Sequence, residues 1–214
     1  MRTQRPLFRA TWAAAGLAVL LTLSACGGND EADAPQKLSE TEHNKADVTF
    51  ATDMIQHHAQ ALSMVDLTMD RNLEPEVQEL ADSIRAAQSP EIETMSGWLQ
   101  EWGEEVPSTM RDHVNGGHEG HGDGEDSSMS DSMEAMDDDM PGMMSAEDMD
   151  ALENASDAEF SEMWLTMMIE HHEGAIEMSE TEQDEGRFKP AVDLAGAIVE
   201  SQTAEIDTME KLLG

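Results

Sequence analysis

The stretch MIQHHAQALSM, Met54 to Met64, recurs as MIEHHEGAIEM, Met168 to Met178, in a chain that has only eight histidines. Wound as an α-helix, Met54, His58, Ala61 and Val65 share one stripe, and His57 lies about 100° from His58 on its flank. Adjacent imidazoles cannot point the same way. One should enter the helical interior and the other face a neighbouring helix, and both are buried only if the pair straddles the covered face.

Working outward, residues 50–99 align without a gap on residues 164–213. Identities include Met54/Met168, Ile55/Ile169, His57/His171, His58/His172, Met64/Met178, Leu80/Leu194, Ile84/Ile198, Gln88/Gln202, Glu91/Glu205 and Met95/Met209. Apolar residues at three-and-four spacing, with no strand-like alternation, predict two helices per copy. Asn72 with Pro75, and Gly186 with Pro190, mark the hairpin turns, and Gly103 should close the first hairpin. Pro90 should kink its helix. Helices with one apolar stripe each must bury them together, so the expected fold class is all-α, a four-helix bundle of two repeated hairpins. The first hairpin falls at residues 43–106, and residues 145–214 hold a short helix near Ser145 to Asn154 followed by the second hairpin. Residues 107–144, poor in branched apolar side chains and rich in Gly, Asp, Ser, His and Met, read as a long disordered crossover.

The first 25 residues carry Arg2, Arg5 and Arg9 before an apolar run, Trp12 to Leu23, too short to span a bilayer. They read as a secretory signal. Leu23-Ser24-Ala25-Cys26 resembles a bacterial lipobox, and Cys26 is the only cysteine, so Cys26 is the expected lipidation site and residues 26–42 a flexible tether. The expected place is extracytoplasmic, anchored to the cell membrane. The formal net charge is −36; without the three signal arginines, 8 basic residues face 47 acidic ones, a net −39. Such a field makes nucleic acid an implausible partner and gathers cations.

His57, His58, His171 and His172, with Met54, Met64, Met168 and Met178, are the candidate metal ligands. Imidazole with thioether suits Cu(I), or silver, better than Mg, Ca or Mn, and zinc would have to rely on the histidines alone. With turn centres near residues 73 and 187, Gln88 should lie level with His58 and Gln202 with His172. An amide at that depth needs a partner and is placed to fix the ring's tautomer. In the crossover His118, His121, Met133, Met136, Met140, Met143 and Met144 form a looser candidate site. A second reading, of another class, is a metal-free structural or interaction bundle whose histidines set helix register. A third is a metal-dependent oxidase. A di-iron centre would want Glu-x-x-His on the core helices, and the only match is Glu40 to His43. No arrangement for a nucleophile and no phosphate loop is present, so no catalysis is expected.

MIxHHxxA, the later LAxxI and Q-x-x-E-I-x-x-M occur in both halves. With these motifs the chain, from about Asp47 to Gly214, resembles the bacterial family known as domain of unknown function 305. That resemblance implies an extracytoplasmic, ferritin-like four-helix bundle. One branch, in cyanobacteria, is similar to periplasmic copper-binding proteins that use Met and His. The same eight His and Met residues carry the analogy.

Overall fold

The computed structural model describes residues 37–69, 71–109, 111 and 140–214. The signal segment, Cys26, His118, His121, Met133 and Met136 lie outside the described residues. Among the described residues five helices follow one another: α1 (Lys45–Asp66), α2 (Pro75–Trp102), α3 (Ala146–Asn154), α4 (Asp157–Glu185) and α5 (Lys189–Leu213). The only β pairing among the described residues is an isolated bridge between Ser39 and Phe188.

Local chemistry sets the helix ends. Asn44 caps α1 in a reciprocal box with Asp47, and Ser145 does the same for α3 with Asp148. Pro75 opens α2 where an N–H would have no partner, and Gly103 ends it in the left-handed conformation at φ 78°. Helix α2 continues through Pro90.

α1 pairs with α2, α4 with α5, and α1 also packs along α4. The neighbours run antiparallel, as the rising and falling numbers of contacting residues show: Asp66 with Arg85 and His58 with Glu91, then Met64 with Trp164 and Asn44 with Glu185. Coverage differs accordingly. α2 and α5 bury single stripes, such as Leu80, Ile84, Gln88, Met95 and Leu99, whereas α1 buries neighbours in sequence, including His57 and His58. A helix packed from two sides can hide adjacent residues, which a one-stripe helix cannot. Two apolar clusters result, one around Met64, Ile84, Trp164 and Met168, the other around Phe50, Met54, Met95, Leu99 and Ile198. Along α1 and α4 the paired histidines fall between them.

Residues at the near ends of the expected tether and crossover make contacts with the helices and the turn between α4 and α5. Ser39 already pairs with the α4–α5 turn, its N–H donating to the Arg187 carbonyl and its own carbonyl accepting from Lys189. At the other boundary residues 140–144 are folded onto α1 and α4. Gln60 grips Met144 through both its amide groups, and Gly142, at φ 72°, lies against Gly174. A Cβ on Gly174 would come within 2.0 Å of the Pro141 carbonyl oxygen.

Candidate metal centre

The two histidine pairs meet where α1 crosses α4. All four side chains are fully buried, and the rings of His57 and His171 lie 3.7 Å apart, tilted by 38°. The other member of each pair turns to its own hairpin partner. His58 Nε2 sits 2.7 Å from Glu91 Oε2, and His172 Nε2 sits 2.7 Å from Glu205 Oε2. The divergence expected of adjacent helical residues is therefore what the packing uses.

The remaining ring nitrogens define the chemistry. His57 Nε2 lies 3.0 Å from the Pro141 carbonyl oxygen. The Nδ1 atoms of His57, His58 and His172, and both nitrogens of His171, are buried without a hydrogen-bond partner. Burial first, and the neighbouring His58 next, hold His57 down at about 3. Burial and then His57 hold His171 well below the ordinary 6.5; the nearby His57 carbonyl opposes this without forming a well-aligned hydrogen bond. Both rings are thus neutral near pH 7. A neutral, dry imidazole with an unused lone pair is a ready donor to a cation and needs no proton to leave first.

The thioethers divide into inner and outer sets. Met54 and Met168 are fully buried and lie three residues from His57 and His171, about 4.5 Å along the axis at 1.5 Å per residue. Met64 and Met178 lie seven residues away, about 10.5 Å. Met64 packs in the Trp164 cluster, and Met178 lines a separate cavity of about 390 Å³ with Phe50, Asp53 and Glu182. By position along their helices, Met54 and Met168 stand nearer the histidine pairs than Met64 and Met178 do. Of the crossover methionines, Met140, Met143 and Met144 lie among the described residues, with Met144 buried beside Gln60.

Gln88 and Gln202 do not take the expected place at the imidazoles. Both oxygen and nitrogen of the Gln88 amide are buried without a partner, as is Gln202 Oε1, and the carboxylates one helical turn further on hold the rings. Glu91 and Glu205 are thus the site residues that sequence reasoning missed. Their signal was present in the repeated Q-x-x-E, which offers a charged acceptor one turn from the amide in both copies.

These residues fit a soft cation. Thioether and neutral imidazole are donors of the type that Cu(I) prefers. Among the described residues no three His, Cys, Asp or Glu side chains form a ready metal chelate, so a closed four-ligand zinc set has no counterpart there.

Solved structures resemble this chain in fold. A DUF305 protein from Streptomyces coelicolor, described as secreted, is 30% identical with a TM-score of 0.62, covering 78% of this chain and 91% of that one. A DUF305 fragment from Deinococcus radiodurans is 28% identical with a TM-score of 0.61, covering 80% and 97%. CopM in its Cu(I)-bound form is 26% identical with a TM-score of 0.56, covering 78% and 94%, and CopM is also solved bound to Cu(II) and to silver. Curated protein sequences yield no match. The profile of DUF305, a domain of unknown function, matches residues 47–213, which include both histidine pairs and both glutamates that hold them, and the chain belongs to that family.

Proposed function

We propose that this chain is an extracytoplasmic lipoprotein, anchored through Cys26, whose two repeated hairpins form a four-helix bundle that binds copper as Cu(I), and silver in its place. It would sequester the ion or pass it on, with no catalysis of its own. The observation that carries the reading is the set of buried, unpartnered imidazole nitrogens around the His57–His171 contact, flanked by Met54 and Met168. Buried polar atoms without partners are costly, and a cation that accepts their lone pairs relieves that cost. The likeness to CopM, which binds Cu(I), Cu(II) and silver, supports the same chemistry here.

The test is an anaerobic Cu(I) titration of the full chain in detergent against a chromophoric chelator, beside a His57→Ala/His171→Ala variant checked by circular dichroism. Loss of tight binding in a folded variant is the expected result. Binding that survives would move the metal to the crossover. A parent that takes up no Cu(I) would favour the metal-free scaffold, a reading supported by the His58–Glu91 and His172–Glu205 contacts, which can set helix register without any ion.

A further inference from the structure

We infer that Glu91, Glu205 and the Pro141 carbonyl fix the tautomers of three imidazoles, so that in His58, His172 and His57 Nδ1, and not Nε2, is the nitrogen left free to donate to a cation. The inference rests on the copper reading above and adds which atoms face the ion and which residues make them do so.

The argument begins from donor and acceptor inventory. A carboxylate and a backbone carbonyl only accept hydrogen bonds, whereas a neutral imidazole carries one N–H and one lone pair. Nε2 of His58 and Nε2 of His172 each lie 2.7 Å from a glutamate oxygen, and Nε2 of His57 lies 3.0 Å from the Pro141 carbonyl. In the neutral form of each ring the proton therefore resides on Nε2 and the lone pair on Nδ1. Those same three Nδ1 atoms are buried without partners.

The pattern is too regular for incidental packing. Glutamate and histidine are 33 residues apart in both hairpins, and the same oxygen meets the same ring nitrogen at the same distance. The Glu91 and Glu205 side chains are only 18% and 14% exposed, so each contact is partly shielded from water. A carboxylate on the far nitrogen of a ligating histidine fixes ring orientation and strengthens its donation, and loss of such a partner typically weakens metal binding by about 10–100-fold. His171 differs. With neither nitrogen engaged, its tautomer is free, and it is the ring that can adjust to the ion. Glu91 and Glu205 are thus positioning residues. They touch the imidazole and not the metal.

The test has one readout without metal and one with it. Long-range 1H–15N spectra of the metal-free full chain should show His57, His58 and His172 as Nε2–H tautomers. In Glu91→Ala and Glu205→Ala the matching ring should become a tautomer mixture. Chelator competition should give Cu(I) binding about 10–100-fold weaker for Glu91→Gln and for Glu205→Gln. Nδ1–H tautomers in the parent chain would overturn the inference, and so would unchanged spectra and affinity in variants of a chain that binds Cu(I). Nε2–H tautomers in a parent that takes up no Cu(I) would overturn the copper reading and the role toward the ion with it. The parent spectrum decides the tautomers even if a variant fails to fold.

Discussion

Two buried polar centres lie along the α1–α4 contact, and they settle their unpaired atoms differently. At the histidine centre the outward nitrogens of His57, His58 and His172 are hydrogen-bonded, and lone pairs remain inside. Ten residues back along α1, about 15 Å away, Asp47 lies beside Glu182. There Asp47 accepts from the backbone N–H groups of Asn44, Arg187 and Phe188, tying the start of α1 to the α4–α5 turn. Glu182, 1% exposed, has neither oxygen engaged by a donor. Burial, then its contact with Asp47, push its carboxyl up to about 9, so it holds a proton at neutral pH. One centre keeps neutral lone pairs open to a cation, whereas the other is neutralised by a proton on Glu182. A buried acceptor without a partner is thus not yet a site; what matters is whether a proton already satisfies it.

The comparison breaks most visibly at Asp47. Asp47→Ala removes a helix cap and leaves the N–H groups of Arg187 and Phe188 without an acceptor. Unfolding in urea should show a loss of about 3–5 kcal/mol. Copper affinity should stay within about twofold of the parent, since the histidines lie roughly 15 Å away along the helix. A large fall in affinity would mean that the two centres act as one.

Opposite pH slopes come next. The folded His57 titrates at about 3 and His171 well below 6.5, whereas unfolding returns both rings to the ordinary 6.5. Between those values the unfolded chain binds more protons, so this contribution to stability is lost as pH falls from about 6.5 towards 3. Glu182 acts the other way. Its folded value of about 9 exceeds the ordinary 4.5, so the folded chain holds a proton that the unfolded chain releases, and stability is lost as pH rises from 4.5 towards 9. Denaturation midpoints against pH should show both limbs in the parent. Glu182→Gln should flatten the alkaline limb and leave the acid limb in place. An alkaline limb that persists would contradict a protonated Glu182.

A smaller effect separates the two helices of the centre. Gly174→Ala would drive a methyl group into the Pro141 carbonyl and the Gly142 nitrogen, both backbone atoms. The segment 140–144 must move, at a loss of about 1–3 kcal/mol in thermal or urea unfolding. His57 Nε2 would lose its acceptor, whereas His58 and His172, held by glutamates, would not. The imidazole spectra should therefore change at His57 and stay the same at those two. Equal change at all three would deny that the Pro141 carbonyl governs His57 alone.

The helices, their pairing into hairpins and the histidine frames were legible because each follows from periodicity and caps, which act within a turn or two of the chain. The partner of each ring was harder to place. The expected turn centres, near 73 and 187, lie about a residue and a half short of those implied by His58–Glu91 and His172–Glu205, and an antiparallel pair doubles that error into one helical turn. The sequence therefore pointed to Gln88 where the fold presents Glu91. The docked crossover end was concealed by its composition, since Met, Pro and Gly look like linker. Its trace lay at one position of the repeat, where the first copy has Gln60 and the second Gly174. Both serve the same segment, one by reaching for Met144 and the other by leaving room for Pro141.

The smallest effect concerns that misplaced glutamine. Gln88 is 2% exposed, and neither end of its amide finds a partner, whereas in Gln202 only the oxygen is unpartnered. Methionine has nearly the same shape and demands no hydrogen bond, so Gln88→Met should stabilise the fold by about 1 kcal/mol in urea unfolding. Gln202→Met should gain less, because only the oxygen of that amide is buried without a partner. Neither change should move copper affinity, in contrast to the 10–100-fold effect expected of Glu91→Gln. Were Gln88→Met to weaken Cu(I) binding instead, the amide would be serving the ion, and the division of labour between Gln88 and Glu91 would have to be reversed.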